Sequence, residues 1–587
     1  MNAMTHWTRY CLPAACFLLL TAFFLLLPDL RSCSLRPTRG QWNRLTRTDA
    51  WLMAALTLAY AVVAFTGLGD HTAPQSFVNM EGHTAELRVS AEGGAVKRLM
   101  LYTGVGIGGY EISYTGDGAE ESVLASFEQS HAEVLKWEEV ELSRPVTGGV
   151  LRVRGWGNVW LGEIVALTEE GQTVALESAD GALCDEQSLV PQKQNFMNSS
   201  YFDEIYHART AWEHLRRIYP YEITHPPLGK LIIGLGIRLF GMTPFGWRFS
   251  GTLFGVLMLP LLYVFAKKLF GGTTAPAACT ALMATDFMHF VQTRIATIDV
   301  YSVFFILLMY LFMYQFVSGE GKRYLALSGI AFGLGAASKW TCLYAGAGLA
   351  VIWAIWVIRS VRQGKLDFRG FLKNCGFCVI FFVLIPLLIY DLSYLPYGLA
   401  TGKTNPFSPA YIRMVLDNQD YMFSYHSQLV ATHPYSSHWY QWLLDIRPIL
   451  YYLEYFPDGT HASFGAFVNP VLCWGGLLSL FVLGYLAIAR RDGASQYILL
   501  GYLAQLLPWV LVPRLTFAYH YFPCTVFLAL SLGRCFDLVV RSEKRGRLYT
   551  VGFALLSLAV FVLFYPCLAG LPVHESNLRS WLPTWPF

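Results

Sequence analysis

Charge is what this sequence is shortest of. Asp, Glu, Lys and Arg make up 14% of its 587 residues, where a soluble chain carries about 25%. That deficit excludes an ordinary soluble protein of this length. The formal net charge of +3 is too small to argue for a nucleic-acid partner. A disulfide framework is missing too. Most of the 12 cysteines lie in apolar runs, and Cys184 stands alone in a polar stretch. The histidines lack the close spacing of a metal site, so neither a catalytic metal nor a cofactor is expected. Internal repeats and low-complexity segments are absent. The first apolar run, Cys11 to Pro28, is followed by its positive charges and closed by no small-residue cleavage site. It reads as a retained span, not a signal peptide.

What is present is hydrophobic length: 54% of the residues are hydrophobic and 15% aromatic. About twelve candidate spans follow, at 11–28, 50–67, 244–266, 275–290, 300–317, 325–338, 341–358, 375–390, 466–488, 496–512, 523–540 and 548–566. The predicted fold class is a polytopic α-helical membrane protein embedded in a lipid bilayer. Basic residues collect at Arg31, Arg36, Arg39, Arg44 and Arg47, then at Lys267-Lys268, Lys322-Arg323, Arg359 to Lys373, Arg490-Arg491 and Arg541 to Arg547. With all twelve spans counted, every cluster falls on one side, which is then the cytoplasm.

Residues 75–190 break the apolar pattern. AELRVSA, YEISYTG and GVLRVRGWGNVWLGEIVAL alternate with period two between Gly-rich turns. That is the signature of an antiparallel, jelly-roll-like β-sandwich, here an inserted extracytoplasmic domain. Between Glu81 and Glu186 acids outnumber bases by nineteen to seven. Trp137, Trp156 and Trp160 are expected to fill the sandwich core, the alternative being a sugar-binding face. The chain thus divides into two N-terminal spans with a basic loop (1–70), the β-domain (75–190), an acid-bearing outer loop (195–243), a transmembrane core (244–390), a second outer loop of short surface helices (391–465) and C-terminal spans (466–587).

The unusual polar residues fall on the side away from the basic clusters. They include Asp203-Glu204 and HPPLGK with His225 and Lys230. Arg294 and Asp299 lie in RIATID, Lys339 in SKWT, His433 in HPYSSHWY, and Arg514 and His520 in PRLTFAYHYFP. Arg248 lies near the outer end of its span. Ionisable residues at membrane depth cost about 2.5–3.5 kcal/mol each and mark function. Paired acids beside several cations suit attack on a carbon whose leaving group is a phosphate. A carboxylate takes the proton of an incoming hydroxyl, and cations hold the charge on the departing phosphate. Arg294 and Asp299 have an alternative reading as a structural ion pair. His520 reads first as a packed, hydrogen-bonded histidine. Lys230 reads as reaching either lipid headgroups or the donor.

The run FDEIYHARTA…HPPLGK…GMTPFGWRFSG resembles the first outer loop of the protein O-mannosyltransferases, members of glycosyltransferase family 39 with the GT-C fold. RIATIDVYS, ASKWTCLY, HPYSS-W…RP and R-x-x-F-x-YHY-x-P resemble later motifs of that family, so the likeness covers roughly 195–540. It implies a polyprenyl-phosphate mannose donor, a Ser or Thr hydroxyl on a secreted or membrane protein as acceptor, and inversion at the anomeric centre. It implies Asp203 as general base and Glu204 as second carboxylate. Arg248 and Lys339 would lie near the donor phosphate, with Arg294, Asp299, His433, Arg514 and His520 as weaker candidates. Two departures, the lack of a MIR domain within 391–465 and the β-domain ahead of the acid pair with one extra N-terminal span, favour a bacterial member in the plasma membrane. The β-domain is then a candidate to contact carbohydrate or acceptor. Rival readings are transfer of another lipid-linked sugar to a lipid or wall acceptor, and a transporter or flippase with a binding ectodomain.

Overall fold

The computed structural model describes residues 3–31, 43–116, 120–574 and 580–586. Arg36 and Arg39 of the first basic loop lie outside them. The chain divides into two compact units. The β-bearing unit comprises Gly67–Tyr221 and Ile232–Ser250. The helical unit comprises Met1–Thr66, Glu222–Leu231 and Gly251–Phe587.

The β-bearing unit begins with eight strands: β1 (Val78–Asn79), β2 (Thr84–Val89), β3 (Val96–Thr103), β4 (Gly108–Thr115), β5 (Ser122–Gln129), β6 (Lys136–Val146), β7 (Val150–Gly157) and β8 (Trp160–Leu167). The short β9 (Thr173–Val174) and β10 (Leu176–Ser178) follow. One sheet runs β1-β8-β3-β6, with β9 added on β8; the other runs β10-β2-β7-β4-β5. Every pairing is antiparallel. The order 1-8-3-6 against 2-7-4-5 is that of a jelly roll. Alternation in the sequence sets the faces. In β2, Ala85, Leu87 and Val89 are buried, while Thr84, Glu86 and Arg88 face out. Leu87, Leu101, Ile112, Leu142, Val153 and Ile164 share one core drawn from both sheets.

The tryptophans do not join that core. Trp137 is buried in a second cluster with Met100, Tyr102, Val165 and Leu167, on the other face of the β3–β8 sheet. Trp160 meets Trp212 edge-on, with ring centroids 5.7 Å apart. Trp156 is 49% exposed. The expectation that all three fill the sandwich is therefore corrected. Smaller aliphatic side chains from two inward faces already fill it, and β8 is buried on both sides.

In the whole chain, nine helices among the described residues are long and apolar enough to cross a membrane. They are Arg47–Phe65, Pro244–Phe270, Asp299–Val317, Thr341–Arg362, Phe368–Ala400, Pro470–Ala489, Gly493–Leu511, Ala518–Ser542 and Gly546–Phe564. Cys11–Leu25 and Thr274–Ala284 are shorter apolar helices, and Lys322–Ser338 has 17 residues. The single span expected over 275–290 is instead two helices, Thr274–Ala284 and Phe287–Thr293. Asp286 makes the break. Its carboxylate caps the second helix by accepting from His289 N at 3.1 Å, and it also accepts from Asn469 N at 2.9 Å.

The second long loop also differs from expectation. It holds a 20-residue helix, Pro409–Gln428, and a hairpin of β11 (Ile449–Tyr455) and β12 (Thr460–Ala466), to which β13 (Val573–His574) adds. The hairpin signal was in the sequence as Asp458-Gly459 between two strand-like runs. Gly459 takes φ +80° there, a conformation that suits glycine.

Candidate active site

In the β-bearing unit, Asp203 stands immediately before the helix Glu204–Arg216, and its side chain makes no capping bond. Its backbone carbonyl accepts from Tyr206 N and His207 N at 3.1 and 3.0 Å. A carboxylate at this point sits at the positive end of the helix dipole. Phe202, just before it, has φ +47°. A non-glycine residue in the left-handed region costs about 1–3 kcal/mol, and such strain gathers at functional sites.

Glu204 is fully buried and grips Arg248 bidentately. Arg248 Nε donates to Oε1 at 2.8 Å and Nη2 to Oε2 at 2.7 Å. The guanidinium also donates to Leu68 O and Ser199 O, both at 2.9 Å, and lies over the Tyr201 ring at 4.8 Å. The two side chains are 0% and 1% exposed. A second buried pair, Arg209 with Glu213 at 2.8 Å, lies on the same helix about one and a half turns on. Glu213 there also accepts from Tyr221 N. The helix that begins at Asp203 is thus pinned near both ends. Breaking a buried pair of this kind costs about 3–5 kcal/mol.

In the helical unit, the charges sort by helix end. Glu320 follows Asp299–Val317, Arg359 and Arg362 close Thr341–Arg362, Asp492 precedes Gly493–Leu511, and Arg541 closes Ala518–Ser542. At the opposite ends of those helices stand Asp299, Lys339, Arg514 and His520. A 19-residue helix separates the two sets by about 28 Å.

The second set forms one cluster. Lys339 Nζ donates to Asp299 Oδ1 at 2.7 Å and lies 5.6 Å from the Tyr519 ring centre. Next to it, Trp340 Nε1 donates to the Tyr390 hydroxyl at 3.0 Å, and its ring lies 6.4 Å from His426. His426 Nε2 donates to Thr224 O at 2.8 Å, and its ring meets His225 edge-on at 5.1 Å. Asn418 donates to Ile223 O at 3.0 Å, so the helix Pro409–Gln428 holds the segment ahead of His225-Pro226-Pro227. His225 Nδ1 meets Glu222 Oε1 at 3.0 Å. Lys230, 1% exposed, points inward. Its ammonium donates to Glu222 O at 2.7 Å, His225 O at 2.9 Å and the Glu222 carboxylate. Three donors meet three acceptors, so Lys230 braces this turn and does not extend to lipid headgroups.

Arg514 is half-buried, and among the described residues no hydrogen bond or ion pair engages it. Its charge nevertheless reaches this cluster. Burial first, then the electrostatic influence of the neighbouring His225 ring and the charges of Arg514 and Lys339, push His426 down to about 4. Burial, then Lys339 and Lys230, hold His225 below the ordinary histidine value against the opposing pull of Glu222. The cluster therefore carries surplus positive charge and keeps its histidines neutral.

Within the helical unit the structure thus gathers His225, Lys230, Asp299, Lys339, Arg514 and His520. Asp299 pairs with Lys339 and not with Arg294, which corrects the ion pair considered from sequence. Arg294 instead donates to Thr66 O at 2.8 Å and lies over Phe290. His520 is packed between Trp442 and Trp509 and bonded to Phe517. His433 accepts from Tyr435 N and meets Phe517 edge-on. Glu222, His426, Trp340 and Asn418 escaped the sequence reading. Only Glu222 had a visible signal, a carboxylate three residues ahead of His225.

Comparison with known proteins is concordant. Residues 224–390 match the family model "Dolichyl-phosphate-mannose-protein mannosyltransferase", and residues 411–585 match "C-terminal four TMM region of protein-O-mannosyltransferase". Strands β1 to β10 lie outside both matches. The chain is 26% identical over 450 residues to the polyprenol-phosphate-mannose–protein mannosyltransferase of Mycolicibacterium smegmatis, covering 65% of this chain and 87% of that protein. The Mycobacterium tuberculosis protein of the same name is 24% identical over 455 residues, covering 65% and 86%. In fold, the chain is similar to a solved structure of the Saccharomyces cerevisiae protein O-mannosyltransferase Pmt1–Pmt2 complex bound to the sugar donor. The TM-score is 0.59 at 14% identity, covering 66% of this chain and 90% of that one. With its long apolar helices and these matches, the chain is a multi-pass membrane glycosyltransferase of the GT-C fold and belongs to the protein O-mannosyltransferase family.

Proposed function

We propose that this enzyme transfers mannose from a polyprenyl-phosphate carrier to Ser or Thr hydroxyls of proteins, with inversion. The observation that carries the reading is the cation cluster at one set of helix ends, where Arg514 has no hydrogen-bonding or ionic partner among the described residues. In the proposed reaction the acceptor oxygen forms a bond to C1 of mannose as the C1–O bond to the phosphate breaks. The hydroxyl proton passes to Asp203, worth about 10²–10⁴ in rate. Lys339 and Arg514 hold the charge that develops on the leaving phosphate. Asp299 orients Lys339. Glu204 and Arg248 act as positioning residues that fix the helix behind Asp203. His225 and Lys230 shape the HPP turn, Arg294 steadies the segment before Asp299, and His433 and His520 line the aromatic wall. The lipid-linked sugar is a substrate, and no cofactor or metal takes part in the transfer.

The basic clusters mark one set of helix ends as cytoplasmic. The cation cluster and the β-domain are then extracytoplasmic, in the plasma membrane. The β-domain is proposed to contact carbohydrate on the acceptor. Trp156 supports this reading, because its half-exposed indole packs close over Gly109, where a Cβ would come within 2.6 Å of the ring.

The test is transfer in vitro from radiolabelled polyprenyl-phosphate mannose to a Ser/Thr-rich peptide. Asp203→Asn is expected to lower the rate by about 10²–10⁴ with the fold intact. Undiminished transfer by that variant would remove Asp203 from the mechanism. Preference for a different lipid-linked sugar would remove mannose.

A further inference from the structure

The β-domain contains a buried carboxyl group that no basic side chain among the described residues balances. Glu163, on β8, is 0% exposed. Its Oε2 accepts from Glu186 N at 2.8 Å, but its Oε1 has no hydrogen-bond partner. Asp185 and Glu186 face the same point. One carboxylate oxygen from each of the three lies within 4.8 Å of the others. No lysine, arginine or histidine among the described residues pairs with any of them. Across the β3–β8 pairing, Tyr102 stands opposite Glu163, and its buried hydroxyl is also without a hydrogen-bond partner. An uncompensated carboxylate in such a place costs several kcal/mol, and orphaned buried polar atoms are rare enough to require a cause.

We propose that Glu163, Asp185 and Glu186 bind a divalent cation of the calcium class. Calcium takes oxygen ligands at about 2.3–2.6 Å, so two ligands on one ion stand at most about 5 Å apart. The observed separations fall inside that limit without rearrangement. The donors are carboxylate oxygens only, which suits a hard ion over zinc or copper. Asp185 is exposed and Glu186 half-exposed, leaving solvent a path to the ion and room for waters in its shell.

The position suggests what the ion does. Glu186 also accepts from Gln75 N at 2.7 Å and Ser76 N at 3.4 Å, and Asp185 accepts from Ser76 Oγ at 3.4 Å. Residues 75–76 lead into the jelly roll and 185–186 lead out of it. Gln75 in turn bonds Met242 through both ends of its amide, at 2.7 and 3.2 Å. An ion bound here ties the first and last segments of the domain to β8 and stabilises the folded state by mass action.

The experiment uses the full chain in detergent, stripped with EGTA and desalted, with radioactive calcium in equilibrium dialysis and thermal unfolding as a second readout. The expected result is one calcium per chain and an upward shift of the unfolding midpoint by several degrees at millimolar calcium. Magnesium should give a smaller shift and zinc none. Glu163→Gln and Asp185→Asn should each weaken binding at least tenfold and abolish the calcium-dependent shift. Asp185 is exposed, so its variant carries the test if Glu163→Gln fails to fold. Wild-type protein that binds no calcium, binding that survives both substitutions, or zinc displacing calcium would each overturn the proposal. None of these readouts depends on sugar transfer.

Discussion

The two ends of the helical unit use charge in opposite ways. At the end rich in lysine and arginine, buried cations are paired. Lys267 meets Asp49 at 2.8 Å, and Asp49 also accepts from the Tyr263 hydroxyl. Arg534 bridges Asp492 and Asp537, which Arg541 also reaches. Lys268, only partly buried, meets Glu320 at 2.8 Å. At the other end, Lys230 and Lys339 each have one carboxylate, Glu222 and Asp299, and Arg514 has none among the described residues. Burying a charge is costly unless it is paired, so surplus positive charge persists only where something offsets its cost. A phosphate-bearing substrate would do so. On the proposed reading, then, the number of charges does not mark the site. The more basic end of the bundle is the structural one.

The largest expected effect breaks the paired end. Arg534→Met leaves Asp492 and Asp537 facing each other without their shared cation. The expected loss is about 3–5 kcal/mol of stability, read as a lower unfolding midpoint and a lower yield in detergent. Transfer per folded molecule should be unchanged. A large loss of rate in the folded fraction would mean that the two ends are not distinct in function.

Arg514→Met reverses the pattern. It orphans no carboxylate, so the unfolding midpoint should stay within a few degrees of wild type. Transfer should fall by about 10²–10³, the usual cost of removing one group that stabilises developing negative charge. Should Arg514→Met unfold the protein while sparing the rate, the assignment of the two ends would be inverted.

The contrast explains what the sequence could and could not disclose. Hydrophobic length disclosed each of the described helices that is long and apolar enough to cross a membrane, because a span of about 20 apolar residues has few other uses. Period-two alternation disclosed the jelly roll, because one face of each strand must be buried. The break at Asp286 was hidden, because a capping aspartate looks like any polar residue inside an apolar run. Lys339 stood out as a lone cation between two spans and Arg514 as one in an aromatic motif, whereas Asp203 was marked by its acid pair and by the family resemblance of the residues around it. Which of the candidates pair with one another was not visible. Glu204 with Arg248 is a bond across 44 positions, and Asp299 with Lys339 one across 40. Local spacing carries no information at that range. His426 was hidden for a different reason: it lies in a polar, exposed-looking helix, and only its approach to Thr224 and His225 gives it a role.

The smallest expected effect tests whether the cation cluster excludes a further proton. An unfolded chain protonates histidine near about 6.5, whereas His426 in the fold does so only near about 4. Between those values the unfolded state binds more protons, so this group favours folding fully above about pH 6.5. Its contribution then declines as the pH falls toward 4, and falls no further below that. His225, also held low, acts in the same direction and would leave a residual slope. His426→Gln retains an amide donor for Thr224 O and cannot titrate. It should flatten the fall of unfolding midpoint between pH 6.5 and 4 while shifting the midpoint little at pH 7.5. Identical slopes in variant and wild type would mean that neither the burial of His426 nor the charges of Lys339 and Arg514 keep a proton off it, and the unpaired end would then resemble the paired one.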